Sequence, residues 1–212
     1  GQTITEETPL DPRIQWRKPY SRAKAQSESE LLEMHREKGL PLVIFRPGIV
    51  IGKGATPYHW GVGMFHQGAV VHLWGDGENT LPLVLVQDVA AAMSASFAAE
   101  NIEGEVFNLC GPPLMTAKEY VASIESIADI KFQVRPTPIS RYYAADMFKY
   151  FAKVLVRHPG RYCPSFRDWK SRTQLSRFDC SKAQQRLDWN PESDLDSFVA
   201  RAIREPVEDF LF

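Results

Sequence analysis

The chain has 212 residues, 44% hydrophobic and 24% charged, with a formal net charge of -1. It is long enough to bury a substantial core as one or two domains of the ordinary soluble globular class, and its charge balance argues against general nucleic-acid binding. Its longest nearly apolar stretch, residues 89–99, is too short to span a bilayer, and without a charged-then-apolar leader a cytoplasmic protein is expected.

Residues 1–19 carry Thr5, Glu6, Glu7, Thr8, Pro9, Asp11 and Pro12, which is loop chemistry. Pro19 suits the first turn of a helix running to a Gly39 stop, with Leu31, Leu32 and Met34 among many charges. LPLVIF at 40–45 is a short continuous apolar run of strand type, and Arg46-Pro47-Gly48 ends it. A second strand is expected at 83–86, then Asp88 before VAAAMSASFAA, a strong helix former. A third strand spans 105–110. Thr116 with Glu119 forms a capping box before a helix to about Asp129, and KFQVR at 131–135 reads as strand. Over 140–156, Ala144, Met147, Phe148, Phe151 and Leu155 recur at helical spacing, with Asp146, Lys149 and Lys153 opposite; core packing is the expected use of that stripe. A turn at Trp189-Asn190-Pro191 leads to a closing helix after Asp194. Strand and helix alternate throughout, which is an α/β signature.

Charge is uneven along this pattern. Residues 141–177 hold nine Lys or Arg against two acids, Asp146 and Asp168, and are locally +7. A solvated face is the plain reading; an anionic-ligand site and a membrane-surface contact are the sharper ones, with membrane contact the less favoured. Cys110, Cys163 and Cys180 are widely spaced, odd in number and outside any CxxC spacing, so neither a disulfide framework nor a metal site is expected.

The residues that suggest chemistry come early. Tyr20 and Lys24 lie at i and i+4, hence one above the other on one helix face. A fixed ammonium beside a phenol favours the phenolate and brings proton exchange towards neutral pH. Alone, YxxxK is a weak signal whose plain reading is a surface pair.

The wider context is more specific. PYSRAK at 19–24, LVIFRPGIVIGKG at 42–54, WGDGENTLPLVLVQDVAAAM at 74–93, EVFNLCG at 105–111 and SKAQQRLDWNP at 181–191 together resemble the extended short-chain dehydrogenase/reductase family, which includes nucleotide-sugar epimerases and dehydratases. The resemblance implies the C-terminal part of a Rossmann-type parallel sheet, its last two strands at 42–46 and 105–110, plus a small α/β substrate lobe. Residues 1–54 would end the dinucleotide-binding domain. Residues 55–212 would be mainly substrate lobe, with 83–110 returning a helix and the last strand to the sheet.

It also implies NAD or NADP as cofactor, Tyr20 as general acid/base, and Lys24 holding the nicotinamide ribose and lowering the Tyr20 pKa. Pro47, Gly48, Ile49 and Val50 would line the nicotinamide. Tyr58, His59, Asn79, Arg172 and Arg177 would meet substrate, the arginines through its phosphates. A small-molecule substrate is expected, with a second copy of the chain or the missing N-terminal half as partner.

Two departures stand out. No GxxGxxG or GxGxxG occurs in the 212 residues, so the phosphate-cradling half is absent and the chain alone is expected to be inactive. The third catalytic residue would also precede Gly1, and Thr3 and Thr5 are poor substitutes. Second, Leu81 stands where sugar-nucleotide members commonly carry an arginine, six residues after Gly75. The expected function is therefore an epimerase, dehydratase or oxidoreductase acting on a hydroxyl or carbonyl carbon. A reductase of a less polar ketone, or a binding member without catalysis, remains as the alternative.

Overall fold

A computed structural model describes residues 2–174 and 176–211. The chain opens with β1 (Gln2–Ile4) and a single 3-10 turn, then α1 (Pro19–Lys38), β2 (Ile44–Pro47) and β3 (Ile49–Ile51). A hairpin, β4 (Gly63–His66) and β5 (Val70–Trp74), precedes β6 (Thr80–Leu81), β7 (Leu83–Leu85), α2 (Val86–Ser96) and β8 (Val106–Leu109). β9 (Met115–Thr116), α3 (Ala117–Ala128), β10 (Gln133–Thr137), α4 (Ile139–Leu155) and α5 (Phe166–Lys170) follow. β11 (Ser176–Phe178), α6 (Ser181–Leu187), α7 (Leu195–Val199), one π-helical turn and α8 (Glu205–Leu211) close it.

The local signals explain most boundaries. Pro19 sits in the first turn of α1, and Gly39 ends it in the left-handed conformation (φ 65°), its N–H reaching the His35 carbonyl. The Thr116–Glu119 capping box is formed in both directions, contributing about 1 kcal/mol to α3. Asp194 caps α7 by accepting from the Ser197 N–H.

The sheet pairing is mostly parallel. β2 pairs with β8 and β3 with β7, both parallel, while β5 lies between parallel β10 and antiparallel β4. Residues 83–85 are completely buried. Strand alternation sends Leu83 and Leu85 into one core with Ile51, Leu73, Tyr120 and Phe198, and Val84 into a second with Phe107, Leu109, Leu187 and Trp189. β7 is thus the wall shared by the two cores.

Several expectations are corrected. The LPLVIF strand starts at Ile44 rather than Leu40, since Pro41 has no N–H to give a ladder. Arg46-Pro47-Gly48 does not end it: Gly48 is a kink at which the backbone leaves β8 and continues along β7 as β3. α2 starts at Val86, so Asp88 lies inside its first turn, buried and accepting the Glu192 N–H. The 131–135 strand is displaced to Gln133–Thr137. The β4–β5 hairpin carried no sequence expectation. Finally, no residue of α4 is buried, so its apolar stripe is not core.

Gly48 shows why the kink needs glycine. Its N–H donates to the Leu109 carbonyl and the next N–H, of Ile49, donates to Pro82 O at 2.7 Å. A Cβ at position 48 would stand 2.0 Å from Pro82 O and 2.8 Å from Cys110 Sγ, both distances impossible for real atoms. Gly48→Ala must therefore pull β3 away from β7, and a loss of at least about 2 kcal/mol is expected. Chemical denaturation measures it, and a variant unfolding at the wild-type midpoint would contradict this packing.

Candidate active site

Tyr20 and Lys24 occupy the first two turns of α1. The ammonium of Lys24 lies 5.8 Å from the centroid of the Tyr20 ring, and Tyr20 is 74% exposed, so its phenol faces open space. The helix has no side-chain cap of its own at Lys18. Instead the buried Asp168, on α5, accepts the Lys18 N–H at 2.8 Å through Oδ2 and binds Arg17 Nε at 2.8 Å through Oδ1. The Lys18 ammonium stacks over the Trp169 ring at 4.6 Å. Asp11 adds a third tie by accepting from Arg167 at 2.7 Å. The Arg13 N–H, then Arg167, hold the Asp11 carboxyl below the usual carboxylate range. A depressed carboxylate stabilises the fold above its unfolded pKa and loses that contribution as pH falls through the folded value, so this tie weakens in acid.

A second anchor fixes α1 against the sheet. Arg46, near the end of β2, forms a two-pronged ion pair with Glu28 and also donates to the Glu6 carbonyl. The Glu28 partner, ahead of burial, raises the guanidinium pKa. Tyr20 lies eight residues before Glu28, about 12 Å further along the helix axis. It therefore overhangs the C-terminal ends of the parallel strands, the end at which such sheets bind ligands. Pro47 is exposed at that end, and Ile49 and Val50 are half-buried behind it. The N–H groups of Gly48 and Ile49 are spent on Leu109 and Pro82, so only carbonyl and side-chain atoms of this turn are free for a ligand.

The remaining expected residues fall into three places. Arg172 is held among three indoles, 5.6 Å from Trp60, 5.1 Å from Trp74 and 5.4 Å from Trp169. Burial there lowers its pKa, opposed by Asp168. Asn79, also buried, donates to the Arg172 carbonyl at 3.0 Å. Tyr58 packs edge-on against Phe132 and Phe210, and His59, its pKa lowered by burial, accepts the Gly61 N–H at 2.9 Å. Both are engaged in shaping the loop that carries Trp60.

Arg177 lies apart, exposed on β11, in a cleft of about 280 Å³ beside Pro82, Cys110, Gly111 and Cys180. It is the one cation among that cleft's lining residues. The three cysteines are free. Cys180 Sγ accepts the Cys110 N–H at 3.2 Å and donates to the Cys110 carbonyl at 3.1 Å; hydrogen bonding to Cys180 and burial push the Cys110 thiol up.

Asp168 is the residue that sequence reading passed over, counted only as one of two acids in a basic run. A lone carboxylate among nine cations was the available signal. Asp168→Ala leaves the Lys18 N–H and the Arg17 guanidinium without their acceptor, at a cost of about 2 kcal/mol. Hydrogen exchange should quicken across residues 14–24 while the middle of α1, held by Arg46, keeps its protection. Unchanged exchange across residues 14–24 would contradict the anchoring role.

Comparison with known proteins agrees with this geometry. No protein of curated function matches the sequence. Among solved structures, UDP-glucuronic acid 4-epimerase from Bacillus cereus, in complex with NAD, is 18% identical with a TM-score of 0.70, covering 100% of this chain and 57% of that one. DesIV, the dTDP-glucose 4,6-dehydratase from Streptomyces venezuelae with NAD bound, is 20% identical with a TM-score of 0.68, over 99% of this chain and 56% of its own. RMD from Pseudomonas aeruginosa, complexed with NADPH, is 18% identical with a TM-score of 0.66, over 98% and 59% respectively. The chain thus spans less than two thirds of the length of the structures it matches. The NAD dependent epimerase/dehydratase family matches residues 1–110. With that match over more than half of its length, the chain belongs to the NAD dependent epimerase/dehydratase family.

Proposed function

We propose that this chain is the catalytic and substrate-binding part of an NAD(P)-dependent enzyme acting on a carbon that bears a hydroxyl or carbonyl. The observation that carries the reading is the Tyr20–Lys24 pair, exposed above the C-terminal strand ends on a helix anchored from both sides. The geometry suits the nicotinamide end of the cofactor: an open phenol and ammonium stand where a ribose and a substrate hydroxyl would meet. No glycine-rich phosphate loop lies within the 212 residues. The phosphate end is therefore assigned to a dinucleotide-binding half outside them, without which this chain is expected not to turn over.

When bound, NAD or NADP accepts and returns the hydride. Tyr20 takes the substrate hydroxyl proton on its Oη and gives it back in the reverse direction. Lys24 stabilises the phenolate and holds the ribose hydroxyls. Pro47, Gly48, Ile49 and Val50 form the wall beside the nicotinamide, Gly48 through its carbonyl. In this reading residues 1–54, with 83–110 returned to the sheet, end the cofactor domain, and the rest forms the substrate lobe.

For the substrate, Arg177 is the cation that faces a cleft, while Arg172 is committed to its indole cage. A nucleotide sugar would place its phosphates at Arg177. A less polar ketone or alcohol is the second reading, favoured by Leu81: this side chain is buried in the core and brings no charge to the cleft mouth.

With the dinucleotide-binding half present, Tyr20→Phe should abolish hydride transfer, a loss of at least about a thousandfold, while cofactor affinity stays within about twofold. Lys24→Met should damage both. Nicotinamide absorbance with sugar nucleotides and with hydrophobic ketones reads the rate, and fluorescence titration reads affinity. Comparable turnover by Tyr20→Phe and wild type would remove Tyr20 from the mechanism.

A further inference from the structure

The apolar stripe of α4 faces outward. Phe148, Phe151 and Leu155, at i, i+3 and i+7, are 77%, 61% and 85% exposed, and Val156 continues the ridge at 70%. Ala144, Ala145 and Ala152 on the same side are exposed as well. The opposite side is the one that packs. Tyr142 stacks on Trp169 at 5.2 Å, Tyr143 meets Phe166 edge-on, and Asp146 accepts the Trp169 indole N–H at 3.0 Å. A surface helix ordinarily turns such residues inward; this one anchors itself by its polar and aromatic face and presents phenylalanine and leucine to solvent.

Charge says what such a ridge suits. Arg141, Lys149, Arg157 and Arg161 are exposed around it. The two carboxylates of this +7 segment are both committed inward, Asp146 to Trp169 and Asp168 to Arg17 and Lys18. The outer surface from residue 139 to 162 is therefore apolar and cationic, on a chain whose net charge is -1. A second copy meeting this face through a two-fold axis would set one positive rim against another. Projecting aromatic and aliphatic side chains rimmed by cations match instead the interface of an anionic bilayer, where apolar side chains enter the acyl boundary and cations meet lipid phosphates.

We propose that α4 and the turn after it dock the protein on anionic membranes. The helix lies in the plane of the interface, with Phe148, Phe151 and Leu155 inserted and Arg141, Lys149, Arg157 and Arg161 on the headgroups. This inference stands on α4 alone and is independent of the catalytic reading.

Co-sedimentation of the complete protein with vesicles tests it. Vesicles of phosphatidylcholine with phosphatidylglycerol should carry the protein into the pellet at low salt, and phosphatidylcholine alone should not. Lys149→Gln with Arg157→Gln should weaken binding about 25-fold, about fivefold for each charge lost. Phe148→Ser/Phe151→Ser/Leu155→Ser should abolish it while the thermal midpoint holds, because none of the three side chains is core. Wild type left in the supernatant with anionic vesicles at low salt would overturn the proposal. So would a triple serine variant that pellets like wild type. A wild-type dimer that the triple variant turns into a monomer, with neither binding vesicles, would assign the ridge to contact between copies and likewise overturn it.

Discussion

At Gly48 the backbone of one strand must pass the carbonyl of Pro82 with no room for a side-chain atom. Before it, residues 44–47 pair with β8; after it, residues 49–51 pair with β7. Because β7 is buried on both faces and divides the two cores, the crossing at Gly48 sets the position of each core relative to the other. The hydrogen bonds from Gly48 to Leu109 and from Ile49 to Pro82 hold that crossing closed. Any loosening there would separate the strand ends beneath Tyr20 from the lobe that carries Arg172 and Arg177.

The candidate catalytic helix inherits its position from this seam at second hand. None of its twenty residues is buried, so packing alone does not place it. Two polar anchors do: Arg46 to Glu28 ties its middle to β2, and Asp168 to Lys18 and Arg17 ties its start to α5. The first belongs to the sheet and the second to the substrate lobe. Tyr20 lies just beyond both, so the phenol is aimed by the two parts whose ligands it would bring together. Breaking a partly buried polar anchor leaves a charge unpaired as well as a helix untethered, which makes each of these ties worth more than an exposed ion pair.

Much of this was legible in the sequence because it is encoded locally. The span of α1 follows from Pro19 and Gly39, the start of α3 from Thr116 and Glu119, and the Tyr20–Lys24 pairing from helical periodicity. What failed needed partners far along the chain. Arg46-Pro47-Gly48 looks like a terminator until β7 and β8 are seen to share one continuous backbone. The β4–β5 strands are held by pairing with β10, some sixty residues later, and carry no alternation strong enough to declare themselves. Asp168 gains its role from residues 150 positions earlier. The α4 stripe has the right period for a buried face, but periodicity reports that a face exists and not which way it turns. The stacking of Tyr142 on Trp169 decides that.

The central claim is that the Tyr20 helix is aimed by its anchors, and Glu28 offers the most direct test, since it touches neither substrate nor cofactor. Single-turnover hydride transfer, followed by nicotinamide absorbance in Glu28→Gln with the dinucleotide-binding half present, separates aim from binding. The account predicts a rate at least about tenfold lower, as a small misplacement of a reacting group commands, with KM within about twofold of wild type and recovery in Glu28→Asp if the shorter carboxylate still reaches Arg46. A wild-type rate in Glu28→Gln, with the Arg46 contact shown to be lost, would contradict it.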